Sequence, residues 1–251
     1  EAMLERLTPD SPLNNAPVYF KPVVVSTMDE AAALADAGSP AGTVIMTDFQ
    51  KQGRGRRSSG GWEAAPGESL LFTVLMPGGD DPDALLKAPL VAGLAVALAL
   101  ESSFSLSVAV KWPNDALVRG KKICGILCLA RAPFVLAGIG INCNQEKFSP
   151  AVAERATSLA LELGKPVDRR RLLYAVLAAL KWSLVSPSWR AEIEARLAFR
   201  GERRRLVLGE GRTERAVEGI VLGLGESGEL VLSTEAKPDG ERFFSGSLIQ
   251  P

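Results

Sequence analysis

The chain has 251 residues, enough for one large domain or a domain with a small appendage. With 47% hydrophobic and 23% charged residues it can bury a substantial core, which excludes intrinsic disorder. Lys+Arg and Asp+Glu are equal at 29 each and histidine is absent, so bulk nucleic-acid binding is disfavoured and any attraction for anions has to be local.

In chain order, residues 1–22 carry four prolines and the pair Asn14–Asn15 and read as an extended arm. "VVVS" at 23–26 is a short strand, and Ser26 or Thr27 caps an alanine-rich helix that ends at Gly38. "GTVIMTDF" and "SLLFTVLM" are strands, the second apolar on both faces. Between them lies a loop of unusual texture, with Gly53, Gly55, Gly60 and Gly61 interleaved with Arg54, Arg56 and Arg57. The apolar run from Ala88, with Pro89 and Gly93 inside it, is shorter than the roughly 20 residues of a membrane span and reads as a buried helix over 84–101. No membrane association and no signal peptide are expected, and cytoplasmic placement follows. "SVAVKW" is a strand, "DALVRGKKICGILCLA" is two strands turning at Gly120, and "FVLAGIGIN" is another strand. Residues 151–199 place apolar side chains at helical spacing. After Phe199 the pattern changes to short alternating runs between glycine turns, which predicts a small C-terminal all-β barrel at 200–251 beside a domain at 1–199.

Several motifs are uninformative. "GLGESG" at 223–228 fits a dinucleotide fingerprint but has strands on both sides, so it reads as a hairpin turn. Cys124, Cys128 and Cys143 have neither disulfide nor zinc spacing and read as small buried hydrophobes; no protein-held metal is expected. The Gly53–Gly61 loop is more specific. Its glycines let backbone N–H groups approach a ligand, and its guanidinium forks suit phosphate or carboxylate. In "KWPNDALVRGKKICGIL", a hairpin over Gly120 returns Lys122 to Asp115, placing a carboxylate and a cation at one sheet edge. Such a pair can orient an amine nucleophile and neutralise developing negative charge. Gly125 allows close backbone approach.

The segments "STMDEA", "QKQGRGRR", "KWPNDALVRGKKICGIL", "GIGINCN" and "ATSL" occur in the order found in biotin–protein ligases, and the chain resembles that family over residues 23–247. The resemblance implies an α+β fold, a mixed or antiparallel sheet packed with helices as in class II aminoacyl-tRNA synthetases. It implies ATP, magnesium and biotin as cofactor and substrates, biotinyl-adenylate as intermediate, and a lysine of a biotin carboxyl carrier domain as acceptor. Lys122, Asp115 and Arg54 would be catalytic. Ser26, Thr27, Met28, Gln50, Gly53, Arg54, Gly55, Arg56, Lys122 and Gly125 would hold biotin. Arg54, Arg56, Arg57, Trp62, Lys111, Asn114 and Asn142 would hold the nucleotide. Met28 stands where the family usually has asparagine, and Ser58 where a glycine commonly follows. Fewer than the roughly 60 residues of a winged helix-turn-helix precede "VVVS", so a ligase without DNA binding is expected, as monomer or homodimer. A lipoate ligase or acyltransferase is the nearest alternative, on "RRSSGG". A non-enzymatic RNA-binding protein using "RGERRRL" is the alternative from another class.

Overall fold

The computed structural model describes residues 4–56, 61–62, 64–78, 82–209 and 211–249. Arg57 and Ser58 lie outside these residues. An eight-stranded mixed sheet forms the larger part. Its strands are β1 (Glu5–Leu7), β2 (Val18–Val24), β3 (Val44–Gln50), β4 (Ser69–Pro77), β5 (Val108–Lys111), β6 (Asp115–Val118), β7 (Lys121–Arg131) and β8 (Phe134–Asn142). They run in the order β1-β2-β3-β4-β8-β7-β6-β5. Only β2 and β3 are parallel, joined by helix α1 (Thr27–Asp36); every other neighbour is antiparallel.

Period-2 alternation sorts the side chains of the central strands onto two faces. Phe72 and Val74 of β4, Cys124 and Ile126 of β7, and Ile139 and Ile141 of β8 enter the main core. There they meet Leu90 and Leu94 of α2 (Pro82–Phe104) and Leu173 and Leu177 of α4 (Arg169–Val185). On the other face α1 covers one half of the sheet, packing Met28 and Ala31 on Ile45, Leu75 and Leu136. Full burial of each such aliphatic or aromatic side chain contributes about 1.5–3 kcal/mol. The other half of that face carries Gly125, Gly138 and Gly140, and here the cavity opens.

Three expectations change. Residues 1–22 are not merely an arm: β1 pairs with β2, and Leu7, Leu13 and Val18 join the core, because apolar residues between the prolines can be buried. Helix α2 runs 23 residues, through Pro89, well beyond the 84–101 core of the apolar run. It is long and apolar enough to cross a membrane, yet Leu90, Leu94 and Leu100 are completely buried within the protein. The C-terminal strands β9 (Arg203–Leu208), β10 (Arg215–Leu224), β11 (Leu230–Thr234), β12 (Glu241–Phe243) and β13 (Ser247–Ile249) do not close into a barrel. They form an open antiparallel sheet ordered β12-β11-β10-β9-β13. Its edge strands have three residues each, and its apolar side chains, Leu206, Val221, Leu232 and Leu248 among them, join the main core instead of facing one another across a barrel. Trp112 Nε1 also donates to Gly228 O at 3.1 Å, across the two sheets. "GLGESG" is indeed the β10–β11 turn.

Between α2 and the C-terminal sheet, α3 (Leu159–Leu163), α4 and α5 (Trp189–Glu194) supply the expected helices. The predicted last helix stops at Glu194, short of Phe199, because residues 196–198 bond to β5: Val110 N donates to Arg196 O and Ala198 N to Val110 O.

Candidate functional site

A cavity of about 280 Å³ lies on the uncovered half of the sheet. Its floor follows from the strand register. Gly125 of β7 pairs directly with Gly140 of β8, and Gly138 pairs with Leu127 on one side and Thr73 on the other. With glycine at these positions the floor is bare backbone. A Cβ on Gly140 would lie 2.9 Å from the Trp62 indole, and one on Gly138 2.8 Å from Met28 Sδ. The indole is held by its Nε1, which donates to Ser69 Oγ at 3.2 Å. Trp62 N also donates to Gly53 O at 3.3 Å, closing the base of the glycine-arginine loop. A Cβ on Gly53 would meet Trp62 O at 2.7 Å.

One end of the cavity is polar because α1 begins there. Ser26 is the N-cap, its Oγ accepting from Met28 N. Gln50 Oε1, at the end of β3, accepts from Thr27 N at 2.8 Å and from Thr27 Oγ1 at 3.1 Å. Thr73 Oγ1 donates to Thr27 Oγ1.

The opposite end is charged. Arg119 and Gly120 both have positive φ, as a two-residue type I′ turn demands, so β6 and β7 fold back on each other. Lys122 Nζ comes within 2.7 Å of Asp115 Oδ1. The ion pair is close and occupies Oδ1, which is buried. Asn114 lines this end, its Nδ2 donating to Ile126 O at 2.8 Å. The backbone of Lys122 is fixed by the segment before α3: Lys122 N donates to Arg155 O and Thr157 N to Lys122 O. Burial lowers the pKa of Lys111; Asp115 opposes the shift, and the nearby cations Lys122, Arg56 and Arg155 add to it. The arginines reach in from the loop. Arg54 pairs with Asp29 of α1 at 2.8 Å, and Arg56 donates to Ser247 Oγ of β13.

Of the expected residues, Ser26, Thr27, Met28, Gln50, Arg54, Gly55, Arg56, Trp62, Asn114, Asp115, Lys122 and Gly125 line this one cavity. Gly53 and Lys111 stand beside it. Asn142 does not line it. That side chain is buried and spent on structure, giving Nδ2 to Thr157 O and accepting from Gln145 Nε2 at Oδ1. Gly138 and Gly140 line it as well, and two glycines spaced by two in "GIGIN" are the sequence signal of a bare strand face. Leu71, Leu127 and Ser247 also line the cavity and carry no local signal. Trp62 also lines a second cavity of about 460 Å³, walled by Phe49, Ala65, Phe148 and Val152 together with Lys147.

Residues 21–146 match the model of the "Biotin/lipoate A/B protein ligase family". The chain belongs to this family. It is 34% identical over 220 residues to the biotin–[acetyl-CoA-carboxylase] ligase of Mycobacterium tuberculosis, covering 82% of this chain and 79% of that one. The corresponding ligase of Paracoccus denitrificans is 32% identical, with 88% and 98% covered. Among solved structures, the biotin protein ligase from Aquifex aeolicus in complex with biotin and ATP superposes with a TM-score of 0.79 at 31% identity, covering 92% of this chain and 97% of that chain. This ligase fold is therefore shared over 92% of the chain.

Proposed function

We propose that the protein is an ATP-dependent biotin–protein ligase. It condenses biotin with ATP to biotinyl-adenylate and transfers the biotinyl group to a lysine of a biotin carboxyl carrier domain. The observation that carries this reading is a flat glycine floor joining a neutral hydrogen-bonding end to a cationic end in one cavity. A cyclic urea finds donors and acceptors at Ser26, Thr27 and Gln50, its fused ring lies over Gly125, Gly138 and Gly140, and the carboxylate at the end of its side chain reaches Lys122.

In the first step a biotin carboxylate oxygen attacks the α-phosphorus of ATP and pyrophosphate leaves. Lys122, Arg54 and Arg56 offset the repulsion between the two anions and hold them in line. Arg54 and Asp29 form a half-exposed pair of the sort worth about 0–1 kcal/mol, so the guanidinium moves to a ligand anion at little cost. Trp62 walls off the nucleotide, and the second cavity offers apolar surfaces for the purine. No group of three His, Cys, Asp or Glu able to hold a metal occurs among the described residues, so magnesium is held mainly by the triphosphate that brings it. In the second step the carrier amine attacks the acyl carbon and AMP leaves. Asp115, paired with Lys122 until that cation turns to the ligand's anions, orients the amine and receives its proton.

A lipoyl head group carries no hydrogen-bonding atoms comparable to a urea and would leave Ser26 and Gln50 without partners, which favours biotin. The zero net charge weighs against RNA as ligand. Function in the cytoplasm accords with carriers of this kind. The test is pyrophosphate release with ATP, magnesium and either biotin or lipoate. Release with biotin alone is expected; release with lipoate alone would overturn the proposal.

A further inference from the structure

Glu162 of α3 stands outside the cavity lining, yet it holds both elements that flank Lys122. Its Oε1 accepts from Thr157 Oγ1 at 2.6 Å, and its Oε2 pairs with Arg119 Nε at 3.4 Å. Thr157 N donates to Lys122 O, and Arg155 O accepts from Lys122 N. Residues 155–157 therefore run beside Lys122 where the pairing of β7 with β8 has already ended. Arg119 belongs to the turn that carries β6 into β7. One carboxylate thus ties the turn of the hairpin to the segment that grips its lysine.

The base of this clamp is fixed. Ser158 Oγ caps α3 by accepting from Leu161 N and donates to Gln145 O, while Ala160 N donates to Cys143 O. Asn142 Nδ2 holds Thr157 O from the sheet. Packing alone does not call for a charge at this place. The Glu162 side chain is 8% exposed and that of Arg119 79%. Withdrawing a carboxylate from water is costly, and a neutral side chain of similar shape is often as stable or more so. Glutamine would still accept from Thr157; only a carboxylate attracts Arg119 as well.

We infer that Glu162 is a positioning residue for adenylate formation, one that sets the β6–β7 hairpin against residues 155–157 and so fixes the line along which Lys122 Nζ meets the ligand's anions. This rests on the biotin ligase reading, in which Lys122 bridges the biotin carboxylate and the α-phosphate. Lys122 and Asp115 both belong to that hairpin, so a hairpin released from Glu162 keeps its cation but loses the alignment.

The test uses the full chain with Glu162→Gln and Arg119→Gln, each alone and combined with Lys122→Ala. Pyrophosphate release is followed in single turnovers with ATP, magnesium and biotin, and biotin Kd by calorimetry. Each single variant retains the lysine ammonium, so its rate should fall roughly ten-fold through misalignment while biotin Kd stays within about three-fold of the parent. In the Lys122→Ala background neither substitution should slow the reaction further, because no ammonium remains to be positioned. A merely structural role would cost the same factor in both backgrounds. Arg119→Gln alters a solvent-facing side chain and decides the matter even where Glu162→Gln does not fold. A parental rate in Arg119→Gln, or an equal loss with and without Lys122, would overturn the inference. A parent protein that releases no pyrophosphate with biotin would instead overturn the ligase reading itself.

Discussion

Substitution Gly140→Ala separates the floor of the cavity from the stability of the sheet. Gly140 lies in β8, hydrogen-bonded between β4 and β7, so its backbone is held on both sides. A methyl group there would stand 2.9 Å from indole carbons of Trp62, closer than carbon atoms pack. The ring has to lift, straining its bond to Ser69 Oγ, and the methyl itself occupies the surface on which the substrate ring lies. A substrate ring laid on that methyl beside the displaced indole is overpacked in the same way, and a cost of about 1–3 kcal/mol carried by the complex alone corresponds to about 5- to 150-fold in biotin Kd. Folding gives part of the indole's strain back, because alanine restricts the unfolded chain more than glycine and contributes about 0.4–1 kcal/mol at an unstrained position; Gly140 has no positive φ. The expected result is a large loss in calorimetric biotin affinity with Tm changed by only a few degrees. Biotin affinity equal to that of the parent, in a folded variant, would refute the floor assignment.

Three further outcomes follow from the same geometry. Lys122→Ala should weaken biotin binding by about 1.5–3 kcal/mol, the range for hydrogen bonds to charged groups, whereas the exposed Lys121→Ala changes little; equal effects by calorimetry would mean the β7 register is wrong. Arg56→Gly should still make biotinyl-adenylate but lose it to solution, so added albumin becomes biotinylated, while Asp115→Ala makes and keeps adenylate yet transfers it slowly; a western blot of carrier against albumin over time separates them. Cys143, whose thiol burial pushes up to about 12, and Cys124, pushed higher still by burial, should resist iodoacetamide at pH 8 in the folded protein and react after denaturation, as peptide mass mapping would show.

The charged end of the site is legible because it is local. Asp115 and Lys122 lie on one hairpin whose turn residues, Arg119 and Gly120, announce it, so sequence spacing and spatial neighbourhood coincide. The polar end is legible through a helix cap and a strand end. Ser247 is not, since it reaches Arg56 only through the placement of the C-terminal sheet, a contact between residues 191 positions apart in the chain. The closed barrel was expected because alternation reveals that a strand has an apolar face but not what covers that face; here it is the core beneath α2 and α5. Asn142 is held inside the fold. Its position in "GIGIN" suggested a ligand contact, yet its amide holds Thr157, and through it the segment that fixes the Lys122 backbone.

Intact-mass analysis of a biotin carboxyl carrier domain tests the central claim most directly. Incubated with this protein, ATP, magnesium and biotin, the domain should gain one biotinyl group, located on a single lysine by peptide mapping, with no gain when ATP is omitted. An unmodified carrier, or one that gains a lipoyl group when lipoate is supplied in place of biotin, would contradict the account.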